Sequence, residues 1–177
     1  RALGFREVFD DSGTFPIGEW LYNFCDLVKG SGVTLGCNMR MVDVNYVRMK
    51  KAGFRMLLFG LESANQQTLD IVNKGVYDGD YKYIIEAAKA GLEPHVAVMF
   101  GYPWEKDRDA LNTLSRVHYL LRKGYAKTAQ ASFYTVPGEL SQESHRKYVK
   151  QIYRAAYYPT FWLNKLRDIH DVDDLKY

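Results

Sequence analysis

The sequence predicts an α/β fold built on one parallel sheet. Two observations carry this. Short apolar runs bounded by glycine alternate with segments of helical spacing, and from Phe5 onward the order reads β-α-β-α-β-α-α-β-α-β-α-α. Such alternation means βαβ crossovers, which make parallel strands. The runs are nearly continuous in apolar character, as strands buried on both faces are. Right-handed crossovers then predict five strands in one curved sheet, with helices on its outer face only.

Each element has its own signal. Arg1-Ala2-Leu3-Gly4 reads as the end of a helix, with Gly4 in the left-handed position after a last turn. With no initiator Met, this opening is read as that of a piece of a longer chain. Phe5 to Phe9 is the first strand, and Asp10-Asp11-Ser12-Gly13-Thr14 is a turn cluster. Pro16 suits a first helical turn. Trp20, Leu21, Phe24, Leu27 and Val28 recur at helical spacing and predict a helix over 17–30. Gly30 and Gly32 end it. Val33 to Cys37 forms the second strand. Asp43 caps the next helix, with Val44, Val47 and Met49 inward and Gly53 at its end. Phe54 to Phe59 is the third strand. Asn65 starts a helix that Asn73-Lys74-Gly75 breaks, and Asp80 starts another that Gly91 ends. Pro94 to Phe100, a long helix over 107–123 and Thr128 to Tyr134 follow. Two helices hinged near Pro159 fill the rest. Residues 1–140 thus carry the strands, and residues 141–177 are a helical extension of the same domain.

Composition narrows the function classes. Of 177 residues, 47% are hydrophobic and 25% charged, which is globular usage and excludes disorder. The 24 basic and 21 acidic residues are too balanced, and too scattered, to indicate nucleic acid. No apolar run approaches the roughly 20 residues that span a bilayer. The start lacks a signal pattern, so a cytoplasmic setting is expected. The two cysteines, Cys25 and Cys37, are too few for a disulfide framework and fit no zinc spacing. They read as half-buried thiols. His95, His118, His145 and His170 form no metal spacing either, so no metal ligand is assigned.

Ligands of parallel α/β folds sit at the carboxyl ends of the strands. Those ends carry Asp10-Asp11-Ser12-Gly13, Asn38-Met39-Arg40, Gly60-Leu61-Glu62-Ser63, Gly101-Tyr102-Pro103-Trp104-Glu105 and Tyr134-Thr135-Val136-Pro137-Gly138. Carboxylates, one guanidinium and glycine backbone suit a zwitterionic, hydroxyl-rich small molecule. Each motif also has a plain structural reading. Asp10-Asp11 can open a turn, Glu62-Ser63 can cap a helix, and Arg40 can pair with Asp43. There is no GxxxxGK[ST] and no GxGxxG. Polar groups recurring at matching ends set these segments apart. Trp104 sits where it can wall a ligand.

Taken together, these ends resemble the radical S-adenosylmethionine (SAM) superfamily, in its cobalamin-binding and methylthiotransferase-like branch. The resemblance rests on Val8-Phe9-Asp10-Asp11-Ser12-Gly13, Cys37-Asn38-Met39-Arg40, Gly53-Phe54, Phe59-Gly60-Leu61-Glu62-Ser63, Asn73-Lys74-Gly75, Ala90-Gly91, Gly101-Tyr102-Pro103-Trp104-Glu105 and Val136-Pro137-Gly138. Tyr153 and Tyr157-Tyr158-Pro159 extend it into the tail. It implies a partial (β/α)6 TIM-like barrel that lacks its first βα unit and binds SAM at the strand ends. By position, Asp11, with Asp10 and Ser12 beside it, would meet the methionine amino group, and Arg40 the carboxylate. Glu62 and Ser63 would meet the ribose. Gly101, Pro103 and Glu105 would lie near the adenine, and Val136 would close the rim.

The family's CxxxCxxC, which ligates a [4Fe–4S] cluster, is absent, so the resemblance places that cluster in a longer parent only. That parent would reduce SAM to a 5′-deoxyadenosyl radical, and a cobalamin domain ahead of the segment stays open. This chain alone is expected to be inactive and to self-associate through an exposed sheet edge. In the family's Gly-x-Pro-Gly-Glu, Trp104 stands at the second glycine place. Two other readings remain. One is a non-catalytic α/β module that binds a nucleoside or a protein. The other is a piece of an unrelated (β/α)8 barrel.

Overall fold

The computed structural model describes residues 4–136, 138, 141–154, 159, 162–163 and 166. Its strands are β1 (Glu7–Thr14), β2 (Thr34–Met39), β3 (Phe54–Glu62), β4 (Glu93–Phe100) and β5 (Thr128–Phe133). Its helices are α1 (Glu19–Val28), α2 (Tyr46–Ala52), α3 (Gln66–Ile71), α4 (Lys82–Lys89), α5 (Asp107–Arg122) and α6 (Arg146–Arg154), with single 3₁₀ turns leading into α4 and α6. The strands form one sheet in sequence order, and every neighbouring pair is parallel. The fold is a partial TIM-like barrel with a helical tail. No helix among the described residues is long and apolar enough to cross a membrane.

The two faces of the sheet differ in burial. In β4, Pro94, Val96, Val98 and Phe100 are buried, while Glu93, His95, Ala97 and Met99 between them are half-buried. The register carries this alternation sideways: Val96 pairs with Phe59 and Ala129, and Phe59 with Met39. The buried set therefore faces the helices, where Leu57, Phe59, Leu61, Ile84, Val117 and Leu120 make the core. The other set is the inner face. Gly36, Gly60 and Ala97 lie on it and leave it shallow. At its amino end Arg55 joins Glu93 at 2.5 Å and also pairs with Glu7, tying three strands together.

Local chemistry sets the boundaries and corrects four expectations. Asp10 to Thr14 is not a turn outside the sheet. Asp10 pairs with Cys37 and Thr14 with Asn38, so Asp11, Ser12 and Gly13 bulge out of a continuous β1. Helix α1 starts two residues later than the pattern predicts, with Gly18 as its N-cap, and Leu27 stays 84% exposed. Asn45, not Asp43, caps α2, accepting from the Arg48 amide at 2.9 Å. That start turns Val47 to solvent and Met49 inward. Gly53, at φ 108, ends α2 as expected. The second helix expected beyond Pro159 falls mostly outside the described residues. Helix α6 packs on β5, and the Tyr153 hydroxyl accepts from the Ala131 amide and donates to the Ala131 carbonyl, each at 3.2 Å.

Burial of ionisable groups in this core has an alkaline consequence. Burial first, then the Asp10 charge, pushes the Cys37 thiol up to about 12. Burial likewise raises the Tyr46 hydroxyl, which donates to the Val42 carbonyl at 2.8 Å. A group whose folded pKa is raised loses its stabilising contribution as pH rises from the unfolded value through the folded one. Unfolding free energy is therefore expected to fall by about 1.4 kcal/mol per pH unit for each group, from pH ~9 for Cys37 and from pH ~10 for Tyr46. Urea titrations from about pH 8 to about pH 11, which cross the ordinary values of both groups, check this, and Cys37→Ala should flatten the decline.

Candidate functional site at the carboxyl ends of the strands

Because all five strands run parallel, their carboxyl ends share one side of the sheet. Asp10 and Ser12 serve the bulge itself. The Ser12 amide donates to Asp10 Oδ1 at 3.0 Å, and the Ser12 bonds hold the Asp10 carboxyl below its usual range. Asp11 is exposed and reaches across to β2, accepting from Asn38 Nδ2 at 2.9 Å. Asn38 lies on the inner face, so this pair bridges the tips of β1 and β2. Arg40 stands exposed just beyond β2.

Glu62 ends β3 at φ 58, a left-handed conformation that non-glycine residues seldom hold. Its carboxylate lies back over Gly60: a Cβ added to Gly60 would sit 2.9 Å from Glu62 Oε1. The Glu62 side chain is only 15% exposed, and Lys74 Nζ closes on it at 2.9 Å. Ser63 turns the other way. It is buried, and its hydroxyl accepts from the Asn65 amide. Asn65 then donates to Asp109 at 2.9 Å, and Thr113 accepts from the Ala64 amide at 2.9 Å. This network fixes the β3 tip on α5.

The β4 end is an aromatic wall over a buried carboxylate. Tyr102 and Trp104 stack with centroids 5.3 Å apart, and Tyr134 from the end of β5 meets both. Burial and the charges of Glu62 and Glu105 raise the Tyr102 hydroxyl. Glu105 turns under the loop, where Oε2 accepts from the Gly101 amide at 2.7 Å and meets His145 Nδ1 at 2.8 Å. Burial raises the Glu105 pKa, and the Gly101 and His145 contacts oppose it. Pro103 is half-buried and its carbonyl accepts from Gln142 Nε2 at 2.8 Å. Val136 is 40% exposed.

Sequence reasoning assigned no site role to Lys74, Asn38, Gln142 or His145. Asn38 and Lys74 stood within quoted motifs, Asn38-Met39-Arg40 at a strand end and Asn73-Lys74-Gly75 as a helix breaker and part of the resemblance. His145 was one of four unclustered histidines. Among the described residues, no three His, Cys, Asp or Glu side chains are grouped to hold a metal ion. Cys25 and Cys37 are both buried and free. An iron–sulfur cluster needs several thiolates converging on it, and a pair of buried, protonated thiols on α1 and β2 does not fit one.

The half-open parallel sheet is a shape found in solved structures of other proteins. The chain is similar to the radical SAM enzyme coproporphyrinogen III oxidase (HemN) from Escherichia coli, with a TM-score of 0.58 and 13% identity over 92% of this chain and 38% of that one. Methylornithine synthase (PylB) superposes with a TM-score of 0.63 and 13% identity over 87% of this chain and 48% of that one. The radical SAM methyltransferase TsrM from Kitasatospora setae, solved with cobalamin and a [4Fe–4S] cluster bound, gives 0.53 and 13% over 64% and 24%. At this identity the likeness establishes the fold, and the chain spans less than half the length of each. No family model matches the sequence, and no curated protein does.

Proposed function

We propose that the strand ends form a SAM site of a radical SAM enzyme, of which this chain supplies five strands. The observation that carries it is Glu62: a strained, half-buried carboxylate laid on a glycine of the inner face and closed by Lys74. Strain of this kind persists where surrounding structure enforces it, and it clusters at ligand clamps. In this reading Glu62 accepts from the ribose hydroxyls, and Asp11, beside Asn38, faces the methionine ammonium. Arg40 and Lys74 take the carboxylate. Trp104 faces the adenine, backed by the buried Tyr102 stacked on it, with Gly101, Pro103 and Val136 along the edge. Asp10, Ser12, Ser63 and Glu105 hold their loops in place behind these groups. Because the cysteines present do not fit a [4Fe–4S] cluster, no radical step is assigned to this chain, and cobalamin stays with TsrM.

The contacts left to this chain are hydrogen bonds worth about 0.5–1.5 kcal/mol each, or about 1.5–3 when charged. They work against an association cost of roughly 4–15 kcal/mol. Titration with SAM, followed by amide and indole NMR shifts, is expected to saturate with a dissociation constant on the order of 1 mM. The shifts should map to 60–62 and 101–104. Glu62→Gln should weaken binding about tenfold through loss of a charged hydrogen bond. Shifts that avoid these strand ends, or an affinity indifferent to Glu62→Gln, would overturn the reading. Separately, iron and sulfide analysis after anaerobic reconstitution should find no stoichiometric cluster. A four-iron cluster on this chain would show that its thiols do converge.

A further inference from the structure

The segment after β5 grips the loop after β4 at three points and the first residue of α5 at a fourth. The Gln142 amide donates to the Gly101 carbonyl at 2.9 Å, and its side chain donates to the Pro103 carbonyl at 2.8 Å. His145 meets Glu105 Oε2 at 2.8 Å through Nδ1, and Asp107 Oδ1 at 3.2 Å through Nε2. The same Glu105 oxygen accepts from the Gly101 amide. Both backbone polar groups of Gly101 are thereby held, one directly and one through a carboxylate. The His145 and Glu105 side chains are 4% and 0% exposed, so that contact is made out of water, while Asp107 stays 62% exposed. Arg146 adds a cover, its guanidinium lying 4.1 Å over the Phe133 ring that abuts Gly101.

Between the gripped ends of the loop stand Tyr102 and Trp104. Their stacking fixes one flat wall, and a base needs that wall held at a set spacing to stack on it. Gly101 permits many conformations, and the loop braces itself only in part, through the Gly101 amide on Glu105 at 2.7 Å and the Glu105 amide on the Tyr102 carbonyl at 3.0 Å. The Glu105 carboxylate that closes this turn is itself held by a segment 40 residues away in sequence.

The geometry points to His145 and Gln142 as positioning residues that latch the β4 loop and set the aromatic wall for the base of a nucleoside ligand. They touch no ligand themselves, and they act through Glu105 and the Pro103 carbonyl. This rests on the SAM-site reading and deepens it. It makes base affinity depend on a segment beyond the sheet.

The test uses the 177-residue chain, with 5′-deoxyadenosine as the probe and two readouts. One is hydrogen exchange at the Gly101 amide. The other is the dissociation constant from the shift of the Trp104 indole N–H. His145→Ala is expected to speed Gly101 exchange while the β3 and β4 amides keep their protection. It should also weaken the probe about five- to tenfold, the effect of about one hydrogen bond's worth of preorganisation. His145→Gln, which can still donate to Glu105, should restore most of both. Gln142→Ala removes only the Pro103 link and should weaken the probe about twofold by the same measure, which keeps the test open if His145→Ala fails to fold. Gly101 exchange that rises with an unchanged probe affinity would overturn the latch and leave the SAM reading standing. A probe that does not move the Trp104 indole in the wild-type chain would overturn both, and is told apart because no variant is involved.

Discussion

Glu105→Ala is expected to lower the unfolding free energy by about 2–5 kcal/mol, the cost of leaving two buried polar groups without their partner at roughly 1–3 kcal/mol each. The residue is 3% exposed. Its carboxylate serves two donors at once, the Gly101 amide at 2.7 Å and His145 Nδ1 at 2.8 Å. Alanine would leave both buried and unpaired, and it would open a void beneath the loop. Glu105→Gln keeps an acceptor oxygen for Gly101 and should lose about half as much. The pH dependence separates charge from shape. Burial raises the folded-state pKa of Glu105, so the stabilising contribution of the carboxyl is fully present below its unfolded value and fades as pH rises through the folded one. The wild-type chain should therefore gain on Glu105→Gln as pH falls from 7 toward ~4, the ordinary glutamate range. Urea midpoints at the two pH values check the sign. An alanine variant within about 1 kcal/mol of wild type, the size of one ordinary hydrogen bond, would show that the pair carries no stability.

Gly101→Ala is expected to cost about 2–5 kcal/mol, the sum of left-handed backbone strain and overpacking. Gly101 has φ 90, and a Cβ there would lie 2.3 Å from Phe133 Cε2 and 2.7 Å from its Cζ. The ring has little room to retreat, because the Arg146 guanidinium covers it. Gly79 provides the control. It has no positive φ, and a Cβ there meets nothing within 4 Å, so Gly79→Ala should be neutral. Thermal unfolding of the two variants side by side checks this, and equal midpoints would contradict the geometry.

The sheet was readable from the chain because βαβ units announce themselves. Phe54 to Phe59 and Pro94 to Phe100 are apolar runs bounded by glycine, and both are strands where expected. Caps were readable where one side chain decides them, as at Asn65, which accepts from the Thr68 amide, and at Gly53. β1 misled because Asp-Asp-Ser-Gly has turn chemistry and its continuation depends on β2, through the pairing of Thr14 with Asn38. Asp43 lost the α2 cap to Asn45, an equally good cap two residues on. The strand ends could be located from topology alone. What each side chain does there could not, since Glu62 and Glu105 look alike in sequence. One lies on the inner face beside Lys74, and the other is locked under its loop by a histidine 40 residues later. Long-range partners of this kind leave no local pattern.

The Tyr153 hydroxyl on the Ala131 backbone makes the two margins of the sheet unequal. A hydroxyl that accepts from an amide and donates to the same residue's carbonyl imitates an incoming strand at that residue, so the β5 margin is blunted at Ala131. The β1 margin bears no such guard among the described residues. A strand arriving at β5 would have to displace that hydroxyl before pairing at Ala131, whereas the β1 margin asks for no such displacement among the described residues, so a further strand adds there at lower cost.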